Sequence, residues 1–135
     1  MVDRAGLPLV AGLTGAERPD ATVFEALVDA IPAIKQPGGR RRKRPQKLHA
    51  DKGYDVRRCR RFLVQRGIGV RIARKGVEDK ARLGRHRWVV ERTMAWLNHF
   101  RRLAIRYERR EDIHQALLDL GCALICLRRL NEAVQ

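Results

Sequence analysis

The chain has 135 residues, 30 of them Lys or Arg and 15 Asp or Glu, for a net charge of +15 at pH 7; that length accommodates one domain or part of one. With 33% charged residues and no run near the roughly 18 to 20 consecutive apolar residues a bilayer crossing needs, a membrane-spanning chain is excluded. The first nine residues include Asp3, Arg4 and Pro8 and lack the basic, apolar and small-residue succession of a secretory leader, so the expected location is cytoplasmic.

Asp3-Arg4-Ala5-Gly6 reads as a turn, and Leu7 to Thr14 as a strand with Pro8 near its start. Asp20 is placed to cap a helix on which Phe24, Leu27, Val28, Ile31 and Ile34 recur at helical spacing, with Pro32 and then Pro37-Gly38-Gly39 ending it. The run Arg40-Arg41-Arg42-Lys43-Arg44 repels itself and is bounded by Gly and Pro. A flexible basic loop over 38–46 is expected there, not regular structure. Lys47 to Ala50 gives a short strand entering Asp51-Lys52-Gly53-Tyr54. Asp55 is then placed to cap a basic helix with Val56, Cys59, Phe62 and Leu63 inward; Gly67 stops it, and Ile68, Val70 and Ile72 alternate as a strand. Strand, helix, strand is the parallel βαβ pattern. The segment 85–131 carries two helices, Arg85 to about Phe100 and Asp112 to about Leu130. On the second, Ile113, Leu117, Leu120, Leu124 and Leu127 are expected to form a continuous core stripe. The fold class is therefore α/β, with a sheet at the front and two helices at the back. Cys59, Cys122 and Cys126 are odd in number, without CxxC spacing, and read as reduced core residues.

Charge is unevenly placed. Residues 35–110 carry 26 Lys or Arg against 6 Asp or Glu, while the rest of the chain carries 4 against 9. A cationic middle between acidic flanks is the footprint of a protein that sits on a polyanion and releases its counterions, which makes nucleic acid the expected partner.

Asp51 stands at the carboxyl end of a short strand and before a Gly turn. In α/β proteins that position holds ligand-binding groups, as it also holds turn formers. Glu91 lies in Arg87-Trp88-Val89-Val90-Glu91-Arg92, and Arg87, Glu91 and Asn98 share one helical face. Its alternative reading is a surface ion pair with Arg87. Two carboxylates on different elements within a basic surface match a hard, oxygen-only site for Mg²⁺ or Mn²⁺ in phosphodiester chemistry. His49, His86, His99 and His114 form no zinc motif, and the sequence contains neither a phosphate loop nor a serine-hydrolase elbow.

At these residues the sequence resembles the DDE transposases of bacterial insertion sequences, in the insertion-sequence-four and insertion-sequence-five group. The likeness runs from Val2-Asp3-Arg4-Ala5-Gly6-Leu7-Pro8-Leu9 through Leu48-His49-Ala50-Asp51-Lys52-Gly53-Tyr54-Asp55 to Arg87-Trp88-Val89-Val90-Glu91-Arg92-Thr93-Met94-Ala95-Trp96-Leu97, and continues over Phe100 to Glu108. The resemblance implies an RNase H-like catalytic domain that cuts and joins DNA at insertion-sequence ends using Mg²⁺ or Mn²⁺. By that likeness Asp51 and Glu91 match the second and third acids of the catalytic triad and are the metal ligands, and Arg87 matches the signature arginine. Gly84 and Asn98 stand where the signature has Tyr and Lys. The first acid belongs to a central strand upstream of Val2; Asp3 matches the turn after the second strand instead. The expectation is thus a partial RNase H-like domain over 1–135 that lacks its central strand and self-associates or is complemented by an upstream segment. DNA backbone contacts are expected from Arg40, Arg41, Arg42, Lys43, Arg44, Lys52, Arg57, Arg58, Arg60, Arg61 and Arg92, with Asp51 and Glu91 converging within a few ångströms. The alternative is a non-catalytic basic DNA-binding relic.

Overall fold

The computed structural model describes residues 1–15, 17–77 and 80–134, with the side chains of 80–87 outside the described set. The chain divides into two compact units, one made of Met1–Leu13 with His86–Gln135 and the other of Thr14–Arg85. Among the described residues the architecture is mixed α/β with two small two-stranded sheets.

The second unit begins with a 3₁₀ turn, Asp20–Thr22, and helix α1, Phe24–Asp29. Pro32 lacks an N–H and disfavours helical backbone at the residue before it. The helix expected to reach Ile34 therefore ends early, and Ile34 lies exposed in strand β1, Ile34–Lys35. β1 pairs antiparallel with β2, Arg41–Arg42. Part of the basic run is therefore a hairpin strand where a loop was expected. Gly39, at φ +76°, makes the reversal, the Gln36 N–H bonds the Arg40 carbonyl at 2.8 Å, and the exposed arginines splay into water, which relieves their repulsion.

Strand β3, Lys47–Ala50, pairs in parallel with β4, Gly69–Ile72, in the register Lys47↔Gly69 to Ala50↔Ile72. Helix α2, Arg57–Gln65, connects them and buries Cys59 and Leu63, one turn apart. It ends in a Schellman motif: Gly67 adopts φ +62°, its N–H bonds the Val64 carbonyl and the Ile68 N–H bonds the Leu63 carbonyl. The expected βαβ unit is present. Asp55 does not cap α2, whose N-cap is Val56. Its carboxylate binds Arg60 at 2.7 Å and the Lys75 N–H at 2.8 Å, tying the start of the helix to the loop after β4. Phe24, Val28, Ile31, Cys59, Leu63, Ile68 and Ile72 are all buried in this unit.

In the first unit the Asp3 turn forms as expected. One carboxylate oxygen of Asp3 accepts from the Ala5 and Leu7 N–H groups, both at 2.8 Å. The strand expected from Leu7 to Thr14 is reduced to a single bridge, Val2 to Pro8. Its backbone finds other partners, such as the Gln115 side chain bonded to the Leu13 N–H at 3.0 Å, so strand pairing is not needed to satisfy it. Helices α3, Lys80–Asn98, α4, Arg101–Ala104, and α5, Glu111–Val134, follow. The core expected on α5 is met in part: Leu117 and Leu124 are half-buried, Ile113, Leu120 and Leu127 are exposed, and the buried face runs through Gly121 and Ile125. A Cβ on Gly121 would lie 2.8 Å from Leu103 Cδ1 and 3.4 Å from Leu97 Cδ2. Glycine is what lets α5 approach that close. The three cysteines are free, Cys59 fully buried and Cys122 and Cys126 half-buried.

Candidate active site

Asp51 follows β3 directly, at the carboxyl ends of the parallel β3–β4 pair. It caps a 3₁₀ turn, Lys52–Tyr54, accepting from the Gly53 N–H at 2.9 Å, and it is exposed. One oxygen thus fixes the loop while the side chain remains at the surface. Both readings of the residue, turn former and ligand-bearing acid, are compatible with this geometry. Tyr54 packs its ring on Phe24 at 5.4 Å. Burial first, then the charges of Asp20 and Asp51, raise the pKa of its hydroxyl, which puts Asp20, read from sequence as a cap, in the same acidic neighbourhood.

Glu91 is exposed on α3, in the first unit, whereas Asp51 lies in the second. The Arg87 side chain lies outside the described residues. One residue beyond Glu91, the Arg92 guanidinium stands over the Trp88 ring at 4.5 Å and the Trp96 ring at 5.0 Å and donates to the Ala5 carbonyl. Arg129 covers Trp96 from α5 at 4.5 Å. Such stacking fixes the rotamers next to Glu91. The i, i+4, i+8 spacing of Trp88, Arg92 and Trp96 was the signal for this ladder, which sequence reasoning missed. It also missed Glu108, a buried carboxylate paired with Arg102 at 2.6 Å and held below the usual carboxylate range by that guanidinium.

The basic residues of the second unit fall on two segments joined to each other. Arg40, Arg41, Arg42, Lys43 and Arg44 are exposed along and beyond the hairpin. Arg44 donates to the Arg66 carbonyl at the end of α2 at 3.2 Å, the helix on which Arg57, Arg58 and Arg61 are exposed. Arg58 also pairs with Glu25 at 2.9 Å, and Arg60 is held by Asp55. Lys52 is exposed in the turn that Asp51 caps.

The profile of the family described as "Transposase DDE domain" matches residues 1–126. The chain belongs to this family of transposases. It is 53% identical over 135 residues to a protein of Burkholderia cepacia named as a transposase for insertion sequence element IS402, covering 100% of this chain and 64% of that relative. No solved structure matches the chain. DDE transposases generally use divalent metal ions, so the donor set of this chain can be compared with that need. Asp51 and Glu91 are exposed carboxylates of the hard oxygen type that Mg²⁺ takes. They agree with the ion in kind and fall short of a triad in number: among the described residues no group of three His, Cys, Asp or Glu side chains is placed to hold a metal. Asp3 gives one carboxylate oxygen to the turn it closes. Among the described residues, no helix is long and apolar enough to cross a membrane.

Proposed function

We propose that this DDE transposase chain contributes to DNA cleavage and strand transfer at insertion-sequence ends, with Asp51 and Glu91 as ligands for Mg²⁺ or Mn²⁺ and Arg87 as a phosphate contact. When bound, such ions activate the attacking oxygen and stabilise the leaving one. The observation that carries the reading is the exposed Asp51 at the carboxyl ends of parallel strands, in the unit that also bears the joined basic segments. There the cations neutralise backbone phosphates and position the duplex without reading its sequence. Arg40, Arg41, Arg42, Lys43, Arg44, Lys52, Arg57 and Arg58 serve that role, with Arg92 shaping the surface beside Glu91. The remaining acid of the triad is supplied by another segment of a longer protein or by another subunit. A cytoplasmic location goes with this reading.

The test uses labelled duplexes carrying insertion-sequence ends in Mg²⁺ or Mn²⁺. Nicking or strand transfer that is lost in Asp51→Ala and Glu91→Ala, with DNA binding retained, is the expected result. Mn²⁺ line broadening in NMR spectra supplies a readout independent of turnover, and it should reach both residues. Salt-dependent binding without cleavage, and without broadening at either acid, would assign the chain a non-catalytic role.

A further inference from the structure

The parallel pair β3–β4 has one face that this unit leaves open. Parallel sheets are ordinarily covered on both faces, and their strands read as continuous apolar runs. Here Lys47-Leu48-His49-Ala50 and Gly69-Val70-Arg71-Ile72 alternate instead. Leu48, Ala50, Val70 and Ile72 are half-buried or buried, whereas Lys47, His49, Gly69 and Arg71 are exposed. The register sets Lys47 beside Gly69 and His49 beside Arg71 on the open face. A Cβ on Gly69 would lie 3.2 Å from that of Lys47, so glycine keeps the space beside the Lys47 stem clear. Asp51 continues β3 with extended backbone, φ −76° and ψ 179°, and the alternation that exposes Lys47 and His49 carries on to it. The open face is thus cationic along its length, with one acid at its carboxyl end. The cations elsewhere in the unit are partly spent on the fold: Arg58, Arg60 and Arg66 are held by Glu25, Asp55 and Asp29. Arg71 donates only to the Val70 carbonyl, at 3.4 Å, and among the described residues no carboxylate pairs with it or with Lys47.

We propose that Lys47 and Arg71 are positioning residues that hold backbone phosphates of the DNA strand to be cut, and that this open sheet face is the path by which the strand reaches Asp51. The inference rests on the reading of Asp51 as a metal ligand. Alternate residues of a strand stand about 7 Å apart, a spacing comparable with that of neighbouring phosphates along one nucleic-acid strand. Lys47 is about 13 Å from Asp51 by the strand rise, so the phosphate it holds is one or two removed from the phosphate at the acid. Arg71, one row nearer on the adjacent strand, holds the phosphate between. A phosphate does not approach a carboxylate unaided, and cations in line with the acid supply the attraction that brings it there. The hairpin and α2 cations thereby fix the duplex as a whole, while Lys47 and Arg71 decide which phosphate meets Asp51.

NMR titration of the isotope-labelled chain with a short DNA duplex, in the absence of divalent metal, reads these contacts apart from any cleavage. The amides of Lys47, His49, Gly69 and Arg71 and the Arg71 Nε–H should shift, and the shifts should fade as salt rises. In anisotropy titrations Lys47→Gln with Arg71→Gln should lower the magnitude of the slope of log K against log salt by about 2, and Lys47→Arg with Arg71→Lys should restore it. Arg109→Gln removes an exposed charge outside this unit and should leave the slope unchanged. If the double Gln variant fails to fold, the shifts in the parent decide. The proposal is overturned by an unchanged slope in a folded double Gln variant, by an equal fall with Arg109→Gln, or by hairpin amides that move while these four residues stay still. A lowered slope together with Mn²⁺ that leaves Asp51 unbroadened would keep the phosphate path and remove the metal-ligand reading of Asp51.

Discussion

Thr93, 3% exposed on α3, has its hydroxyl 2.6 Å from the Gly6 carbonyl and 3.1 Å from that of Val89. Gly6 stands at φ +81°, and a Cβ there would meet that hydroxyl at 3.2 Å. The two residues therefore lock the Asp3 turn onto the helix that carries Glu91. Thr93→Val keeps the shape and leaves the Gly6 carbonyl without its donor, so it should cost about 1–3 kcal/mol of stability, read from urea denaturation midpoints. Asp55 gives a prediction with a pH sign. The Lys75 N–H first, then Arg60, lower its pKa in the folded chain. A carboxyl with a depressed folded pKa contributes stability that is fully present above its unfolded pKa and lost as pH falls through the folded one. Urea midpoints of the parent should therefore fall from about pH 4 downward, and Asp55→Asn should lower the neutral-pH midpoint and flatten the decline. At this scale the location of Asp51 was legible, because a strand followed by a Gly turn is a local pattern. Thr93 and Asp55 were not, because their partners at Gly6 and Lys75 are brought near by the fold and not by spacing.

Elements with a single apolar face were read well. β3, α2 and β4 appear where alternation and the Gly67 stop place them, since Cys59 and Leu63 offer α2 one way to bury itself. α5 was harder because it has two apolar faces. Periodicity favours the one with the larger side chains, Ile113, Leu120 and Leu127, whereas the buried face is built around Gly121, which contributes no hydrophobic signal and allows the closest approach to Leu97 and Leu103. Gly121→Val should accordingly destabilise the first unit by about 1–3 kcal/mol through overpacking, despite the gain in helix propensity. Thermal denaturation monitored at 222 nm measures it. A neutral result would place the α5 core elsewhere on the helix. Proline and charge account for the other differences. Pro32 cut α1 short, and the basic run gained a hairpin because solvated arginines tolerate regular backbone once Gly39 makes the turn.

Over the whole molecule the charge asymmetry was legible and the division into two units was not. The first unit assembles from the two ends of the chain, through contacts such as Gln115 to Leu13 and Thr93 to Gly6, and local patterning carries no trace of such pairings. The charge needs no fold to be counted, and its consequence can be measured. Each phosphate neutralised on duplex DNA releases condensed counterions and adds about 0.9 to the magnitude of the slope of log K against log salt. Replacing Arg40, Arg41, Arg42, Lys43 and Arg44 together by Ala should therefore flatten that slope by up to about 4 to 5. The loss should be the same for insertion-sequence ends and unrelated duplex, because contacts to the backbone position the protein and carry no base information. Fluorescence anisotropy titrations between low and physiological salt give both quantities. An unchanged slope would move the DNA path off the hairpin and onto α2, where Arg57→Ala with Arg61→Ala would then be the variant that flattens it.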